Sequence, residues 1–492
     1  MGGRLGRRIS TDETLAAATL PSSGVLSATQ GGTGLDSSDS TGYTYLRGGT
    51  WVVPLVGAVG DGATDNLAVF QAWHDALPAA GGMMILPDGV FQISDTLSFT
   101  KPVIIQGSGV DVTIIEMSTT ANLQNLIDTT KSIVVRDLTL QVETPAITNL
   151  SMKAVNLDNP ATSGHHVIYD HVKVRGFQFG LFVDGRSAGG TNFDVDMVTV
   201  RNCDIQISGE ASTISNCLSI HGTNQVFIEH NRLDNNSLGD HVIYVIRNSK
   251  VRIVGNYVTN AVGNSACGVK SVTEIVDDTG TLGQWEVSGN VIDITGIAIL
   301  VNLTGPIVLP NLIVSGNTIT TVANAHVSDG GGIQISAAAT AVFQNILLQG
   351  NRLTDLQKRG IYFSLAAGAT IQNLTISNCY VNNWSIVTAD TYSAIATTAA
   401  GAITTCCISG LYVNGGTNGK EALEMTAAAR VNALDVVEAN LAGANSDVGS
   451  LYIPRMTTDV KNALTAVNGM VVYDTTLNKF QGYENGAWTS LI

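Results

Sequence analysis

Charge is scarce in this chain of 492 residues, at 13% Asp, Glu, Lys and Arg together. Basic residues are scarcest: 25 Lys and Arg stand against 40 Asp and Glu, a formal net charge of −15. A protein that tracks a nucleic-acid backbone needs a basic face, so nucleic acid is not an expected partner. No apolar run approaches the roughly 18 residues of a membrane-spanning helix, and no membrane insertion is expected. The opening residues, MGGRLGRRIS, are basic but lead into no apolar segment. No secretory signal is expected, and synthesis is assigned to a cytoplasm. Gly6 stands where myristoylation requires Ser or Thr. The six cysteines (Cys203, Cys217, Cys267, Cys379, Cys406 and Cys407) contain no C-x-x-C pair and read as reduced core residues. The glycine-rich stretch LVGAVGDGATDNLAVFQAW, residues 55–73, lacks both G-x-G-x-x-G and G-K-[ST]. It is therefore neither a dinucleotide loop nor a P-loop, and no cofactor is expected.

Glycine is plentiful, with 52 residues, and the middle of the chain repeats. Six segments align: VFIEHNRLDN, VRIVGNYVTN, WEVSGNVIDI, LIVSGNTITT, ILLQGNRLTD and LTISNCYVNN. They align on Asn231, Asn256, Asn290, Asn317, Asn351 and Asn378, at steps of 25, 34, 27, 34 and 27 residues, with a weaker copy at Asn202. Three residues before the Asn stand Ile228, Ile253, Val287, Val314, Leu348 and Thr375. Two after it stand Leu233, Val258, Ile292, Ile319, Leu353 and Tyr380. Apolar residues at alternate positions mean strands, not helices. Gly at positions 255, 289, 316 and 350 marks a corner that needs positive φ. Another short strand lies between corners, as in GVKSV, GIAILV and GIYFSL. About three short strands per unit predict the coils of an all-β parallel β-helix, with the Asn side chains stacked into an internal ladder. Hairpins of a sandwich or propeller are the competing reading.

Such a solenoid exposes an apolar end that must be capped. Residues 65–77 predict the capping helix, with Asp65 at its N-cap and Leu67, Phe70, Trp73 and Leu77 on one face. The whole segment GAVGDGATDN…FQAW…AAGGMMILPDGVFQIS resembles the start of the pectate-lyase-like β-helix superfamily. That resemblance implies a right-handed β-helix over about residues 53–418, often trimeric, and frequently carbohydrate-binding or carbohydrate-active. It assigns no catalytic residue.

The two ends narrow the setting. Residues 1–52 are rich in Gly, Ser and Thr and read as an extended arm or linker. Their ATQGGTG looks like bacteriophage tail-fibre sequence, which implies attachment to a tail or baseplate protein. Residues 419–446, Ala-rich and almost free of Gly, are expected to form a helical or linker segment. Residues 447–492 predict a small β module: MVVYD, a turn, KFQGYE, an NG turn, and AWTSL. Its P-R-M-T…NGMxVYDTTxNKxQxYxNGAW pattern is similar to a module at the C-termini of phage tail proteins and some bacterial surface proteins. Arm, solenoid and module together look like a phage tailspike or fibre. What that resemblance implies is a homotrimer on the virion tail that binds a host surface glycan, with cleavage by glycoside hydrolysis as a further expectation. A non-catalytic structural or adhesive fibre is the alternative.

Candidate site residues follow from the outward positions. Three after the ladder Asn stand Asp234 and Asp293, two coils apart and so about 9–10 Å between backbones. That lies near the upper limit for the carboxylates of an inverting glycosidase. Arg232 and His241 flank Asp234, and Tyr257 lies one coil on. Glu274, Asp277 and Asp278 form an acidic loop before Trp285, an alternative acid/base set with an indole to stack on a sugar. The competing reading of each is an ordinary solvated position. His165, His166 and His171 fit no zinc spacing, and no metal is expected. Lys270, Lys358 and Arg359 are the mid-chain bases a lyase would need, but no Asp cluster is expected to surround them, so elimination ranks below hydrolysis.

Overall fold

The structure is a computed structural model of the chain. It describes residues 45–47, 50–52, 56–118, 125–142, 152–158, 160, 162–186, 193–207, 215–235, 241–259, 266–273, 280–321, 331–384, 386, 392–398, 400–416, 423–424, 429–441, 455–464, 466 and 468–491.

Alternating residues in short strands, with backbone groups unpaired within each coil, have one solution: stacking coil on coil. One 12-stranded sheet runs in chain order from Leu97–Phe99 to Leu423–Glu424, each strand parallel to the next. A larger sheet carries the remaining strands of the coils and bends at a corner. The coil starting at Asn216 is typical. Asn216–His221 lies in the 12-stranded sheet, and Thr223–Glu229 and Arg232–Asn235 lie on either side of the corner. Inward columns fill the interior, as with Val226, Val251, Trp285, Leu312 and Ile346, all at most 2% exposed. Each such side chain contributes about 1.5–3 kcal/mol by leaving water.

The corner is built as the repeat predicts. Gly255, Gly289, Gly316 and Gly350 all have φ between 62° and 68°. Asn231, Asn256, Asn290, Asn317 and Asn351 follow the corner, each at most 3% exposed. Each of the first four donates its Nδ2 to the Oδ1 of the next at 2.9 Å. The same Oδ1 also accepts the backbone N–H of the previous Asn at 2.9–3.1 Å.

Asn378 and Asn202 do not join this ladder. Both occupy the left-handed corner instead, at φ 51° and 55°. The register sets Arg352 against Tyr380, so Cys379 takes the ladder position beside Asn351. Its Sγ lies 3.9 Å from the Asn351 Nδ2. At the other end, the Cys203 N–H donates to the Asn231 Oδ1 at 2.9 Å. The asparagine ladder thus ends in a cysteine on each side. Burial pushes the Cys203 thiol up to about 12 and raises that of Cys379. All six cysteines are free.

The capping helix spans Leu67–Ala76 and buries Phe70, Trp73 and His74. The N-cap is Asn66, not Asp65. Asn66 is fully buried, accepts from the Val59 N–H at 2.7 Å, and ties the glycine-rich loop down. Asp65 still accepts the Leu67 N–H at 3.0 Å and bridges to Ser94. Asp61 accepts the Ala63 and Thr64 N–H groups, as a turn residue does.

The expected helix within 419–446 is corrected by the structure. Ala429–Leu441 is a strand, paired parallel with Ala402–Gly416. The exposed edge of the last rung offers a full row of backbone partners, and that outweighs the helix preference of an Ala-rich segment. At the other end, Tyr45–Arg47 and Thr50–Val52 form a hairpin whose Val52 pairs with Met83 of the larger sheet. Residues 1–44 lie outside the described residues. The C-terminal module is a four-stranded sheet with one short helix, Thr458–Asn462. Its antiparallel strands Val471–Asp474, Lys479–Glu484 and Ala487–Ser490 match the predicted hairpins.

Candidate functional site

The outward face of the 12-stranded sheet carries most of the distinctive chemistry. One outward column reads Asp128, Asn156, Phe182, Ser219, Tyr244, Lys270, Leu300, Gln334 and Tyr362, rung by rung. Beside it, Asp158, Asp184 and His221 occupy three successive rungs. Alternation places all of these side chains outside the core.

Two parts of this face stand out. Toward the N-terminal end, Lys153 lies over the Phe182 ring at 4.1 Å, with Asp128, Asp158 and Asp184 around it. Burial lowers the Lys153 ammonium below its ordinary value, against the pull of those carboxylates. Burial and the nearby Asp184 charge raise Asp158. Burial alone would raise Asp184 too, but hydrogen bonds from Arg186 outweigh it and hold that carboxyl down. His221, chiefly by burial, is pushed down to about 4. Its Nε2 shares a 2.9 Å hydrogen bond with Ser219 Oγ. Opposed shifts of neighbouring groups are the arrangement from which acid/base chemistry is built.

Further along lies a cleft of about 420 Å³, lined by Lys270, Leu300, Gln334, Lys358, Arg359 and Tyr362 among others. The Arg359 guanidinium lies against two rings, Tyr362 at 4.3 Å and Tyr392 at 4.9 Å. The Lys270 Nζ sits 2.9 Å from His241 Nε2 and over the Tyr244 ring at 4.7 Å.

The residues singled out from sequence fall in three groups. Asp234, Thr259 and Asp293 stand in register on successive rungs of the corner strands, so the two carboxylates are two rungs apart. Arg232 and Tyr257 are adjacent rungs on the same outward face, both exposed. Asp234 is 8% exposed. Asp293 has a buried Oδ1 without a hydrogen-bond partner, and burial raises its pKa. Two expectations are corrected. Trp285 is 1% exposed, part of the core column, and donates its indole N–H to the Ser249 carbonyl at 3.1 Å. It presents no ring to a sugar. His241 is also 1% exposed; it accepts the Cys267 N–H on Nδ1, and its Nε2 lies 2.9 Å from the Lys270 Nζ. Glu274, Asp277 and Asp278 lie outside the described residues.

Lys270, Lys358 and Arg359 are 88 residues apart in sequence, first to second, and meet in one cleft only because the coils stack. Asp158, Asp184 and His221 were missed. Their signal was available: outward parity in the strands before the first ladder Asn. Among the described residues, no group of three or more His, Cys, Asp or Glu side chains could hold a metal ion. No described helix is long and apolar enough to cross a membrane.

No family model and no curated protein matches the chain. Solved structures do. The A-module of the Azotobacter vinelandii mannuronan C-5 epimerase AlgE6 matches 76% of this chain and 97% of its own, at 17% identity and a TM-score of 0.51. The fold is a right-handed parallel β-helix. Weaker matches include tailspike protein 3 of bacteriophage CBA120, at 15% identity over 92% of this chain and 73% of that one, with a TM-score of 0.46. The catalytic domain of Agl-KA matches 77% of this chain and 68% of that one, at 15% identity and a TM-score of 0.45. At 17% identity the likeness to the epimerase module shows the fold alone.

Proposed function

We propose that this β-helix protein is a tailspike or tail fibre of a virion that binds a host surface polysaccharide along its 12-stranded sheet. The observation that carries the reading is the outward face of that sheet. Its rungs repeat every ~4.8 Å, and they present aromatic, cationic and carboxylate side chains in line, from Asp128 to Tyr362. A polymer of pyranoses needs such a surface: rings to stack on, charges and amides for hydroxyls, and a rigid scaffold that costs little entropy on binding. The N-terminal arm joins the chain to a tail or baseplate protein, and three chains assemble side by side, which multiplies weak glycan contacts by avidity. Affinity electrophoresis of the full chain through gels cast with bacterial capsules and O-antigens tests this. Retardation by at least one, weakened by Tyr362→Ala and Phe182→Ala, is expected. Mobility unchanged in all of them rejects the reading.

Cleavage by glycoside hydrolysis is the second reading, favoured by the opposed carboxylates. A carboxylic acid protonates the leaving oxygen while a carboxylate activates water or attacks the sugar carbon. Two pairs qualify. Asp234 and Asp293, two rungs or about 9–10 Å apart, suit inversion. Asp158 and Asp184, one rung or about 5 Å apart, suit retention. Reducing ends released from a bound glycan, followed by NMR of the first anomer formed, separate them. Asp293→Asn should abolish an inverting activity and Asp158→Asn a retaining one. A glycan that is bound and never shortened leaves the non-catalytic fibre.

A further inference from the structure

We propose that the cleft over Lys270, Gln334, Arg359 and Tyr362 is a subsite for an acidic sugar, a pyranose bearing a carboxylate or another compact anion, within the bound polysaccharide. The proposal rests on the glycan reading above and names the class of sugar taken at one place on that face.

Three observations carry it. The first is charge. Acidic residues outnumber basic ones 40 to 25 in the chain, yet among the described residues three cations and no carboxylate line this cleft. A site built for a neutral sugar uses carboxylates to accept its hydroxyls; here every charged group among the described lining residues is a donor. The second is order. Arg359 is fixed between Tyr362 and Tyr392, and its Nε is buried without a hydrogen-bond partner. A buried guanidinium donor without a partner is costly unless a ligand supplies the acceptor. A planar guanidinium presents its N–H groups in the fork that a carboxylate or a phosphate matches. Lys270 likewise lies over a ring, that of Tyr244 at 4.7 Å. The third is shape. The volume of about 420 Å³ lies in the range of ordinary small-ligand sites. Tyr362 and Leu300 offer apolar surface for a ring face, and Gln334 offers an amide for a hydroxyl.

The test is calorimetric titration of the full chain with oligogalacturonate and oligomannuronate, with the same oligomers after their carboxyl groups are reduced to alcohols, and with sulfated and neutral dextran oligomers. Binding of a carboxylated or a sulfated oligomer is expected, at least tenfold tighter than that of its uncharged counterpart and weaker as salt rises. Which of the two binds tells whether the anion is a carboxylate or a sulfate. Arg359→Gln and Lys270→Gln should each cost at least fivefold, and Arg359→Lys should keep part of the affinity. Arg252→Gln, on the larger sheet, should cost nothing. Thermal unfolding of each variant at the wild-type temperature excludes misfolding. Equal affinity for the uncharged counterpart, or full affinity in Arg359→Gln, overturns the acidic subsite and leaves glycan binding standing. Binding of none of these oligomers by a protein that capsules or O-antigens do retard also overturns the acidic subsite. Failure with every glycan overturns both.

Discussion

The ladder asparagines show how much a single buried amide can carry. Asn290 Oδ1 accepts both the backbone N–H and the Nδ2 of Asn256, while its own Nδ2 reaches Asn317 Oδ1 and the Ile253 carbonyl. Asn290→Ala leaves several of these groups buried without partners, at about 1–3 kcal/mol for each one orphaned. A loss of at least ~3 kcal/mol in chemical denaturation is expected. Asn345 makes the same side-chain contacts in an outer ladder with Asn311 and Asn373, but in water. Asn345→Ala should therefore cost under ~1 kcal/mol, and equal losses at the two sites would refute the argument. Asp474 is a second buried polar residue with a readable consequence. Burial would raise its carboxyl, but hydrogen bonds from Lys461, Thr458 and the N–H groups of Leu477 and Thr476 carry it down to about 2. A folded pKa below the unfolded value stabilises the fold above the unfolded pKa and loses that contribution as pH falls through the folded one. The C-terminal module should thus loosen between about pH 4 and about pH 2, seen as lost dispersion in its Val472 and Trp488 NMR signals, and Asp474→Asn should remove that dependence. Trp285 marks a residue-scale reading that went wrong although the sequence held the answer. Trp285 lies five residues before Asn290 and so shares the inward parity of Val287, three before it. An aromatic beside an acidic loop outweighed parity in that reading, and parity decided the structure.

At the scale of the element, the corner is legible in sequence and its exceptions are instructive. The left-handed position is filled by Gly in five described rungs (Gly255, Gly289, Gly316, Gly350 and Gly410), and elsewhere by Asp137, His171, Asn202, His230 and Asn378, all at φ between 51° and 56°. Aligning on the letter Asn therefore slipped by one residue wherever Asn replaced Gly at the corner, and two cysteines at the ends of the ladder went unread. Gly316 allows the cost of that conformation to be measured alone. A Cβ there would find its nearest atom, Gly289 N, at 3.9 Å, so no clash intrudes. Gly316→Ala should cost about 1–2 kcal/mol, and Gly316→Asn clearly less, since Asn already serves at two corners. A neutral Ala variant would mean that the corner relaxes out of the left-handed region. The strand Ala429–Leu441 is the element that composition misread. Helix preference is a local property of a few tenths of a kcal/mol per residue, whereas the edge left by Ala402–Gly416 is a property of the whole solenoid. Nothing in a 13-residue window contains that edge.

At the scale of the molecule, the repeat, the capping helix and the C-terminal hairpins could all be read in advance because each is a local pattern. The cleft at Lys270 and Arg359 could not, because it gathers side chains from coils that are distant in sequence, and which of them meet is decided only by stacking. The same stacking exposes a surface whose role is open to test. Outward on the larger sheet, Ile104, Val134, Ile168, Thr199 and Phe227 stand in register on successive rungs. Arg252 and Glu286 follow, then Ile313 and Leu347. Arg252 bridges Glu229 and Glu286, so the charges of the polar break are paired within the face. Single exposed apolar residues need no explanation, but two half-buried apolar runs in one column along a rigid face do. Side-by-side chains in a homotrimer would bury this line, and one column would then be repeated around a threefold axis. Placing a carboxylate in it charges every copy of the contact at once. Phe227→Asp and Ile313→Asp should each lower the solution mass from three chains toward one, measured by light scattering, while the cleft at Lys270 and Arg359, on the other sheet, keeps its glycan affinity per chain. Avidity for a polymer should fall by an order of magnitude or more as the sites separate. A wild-type chain that is monomeric in solution, or variants that stay trimeric, would assign the column to a different contact.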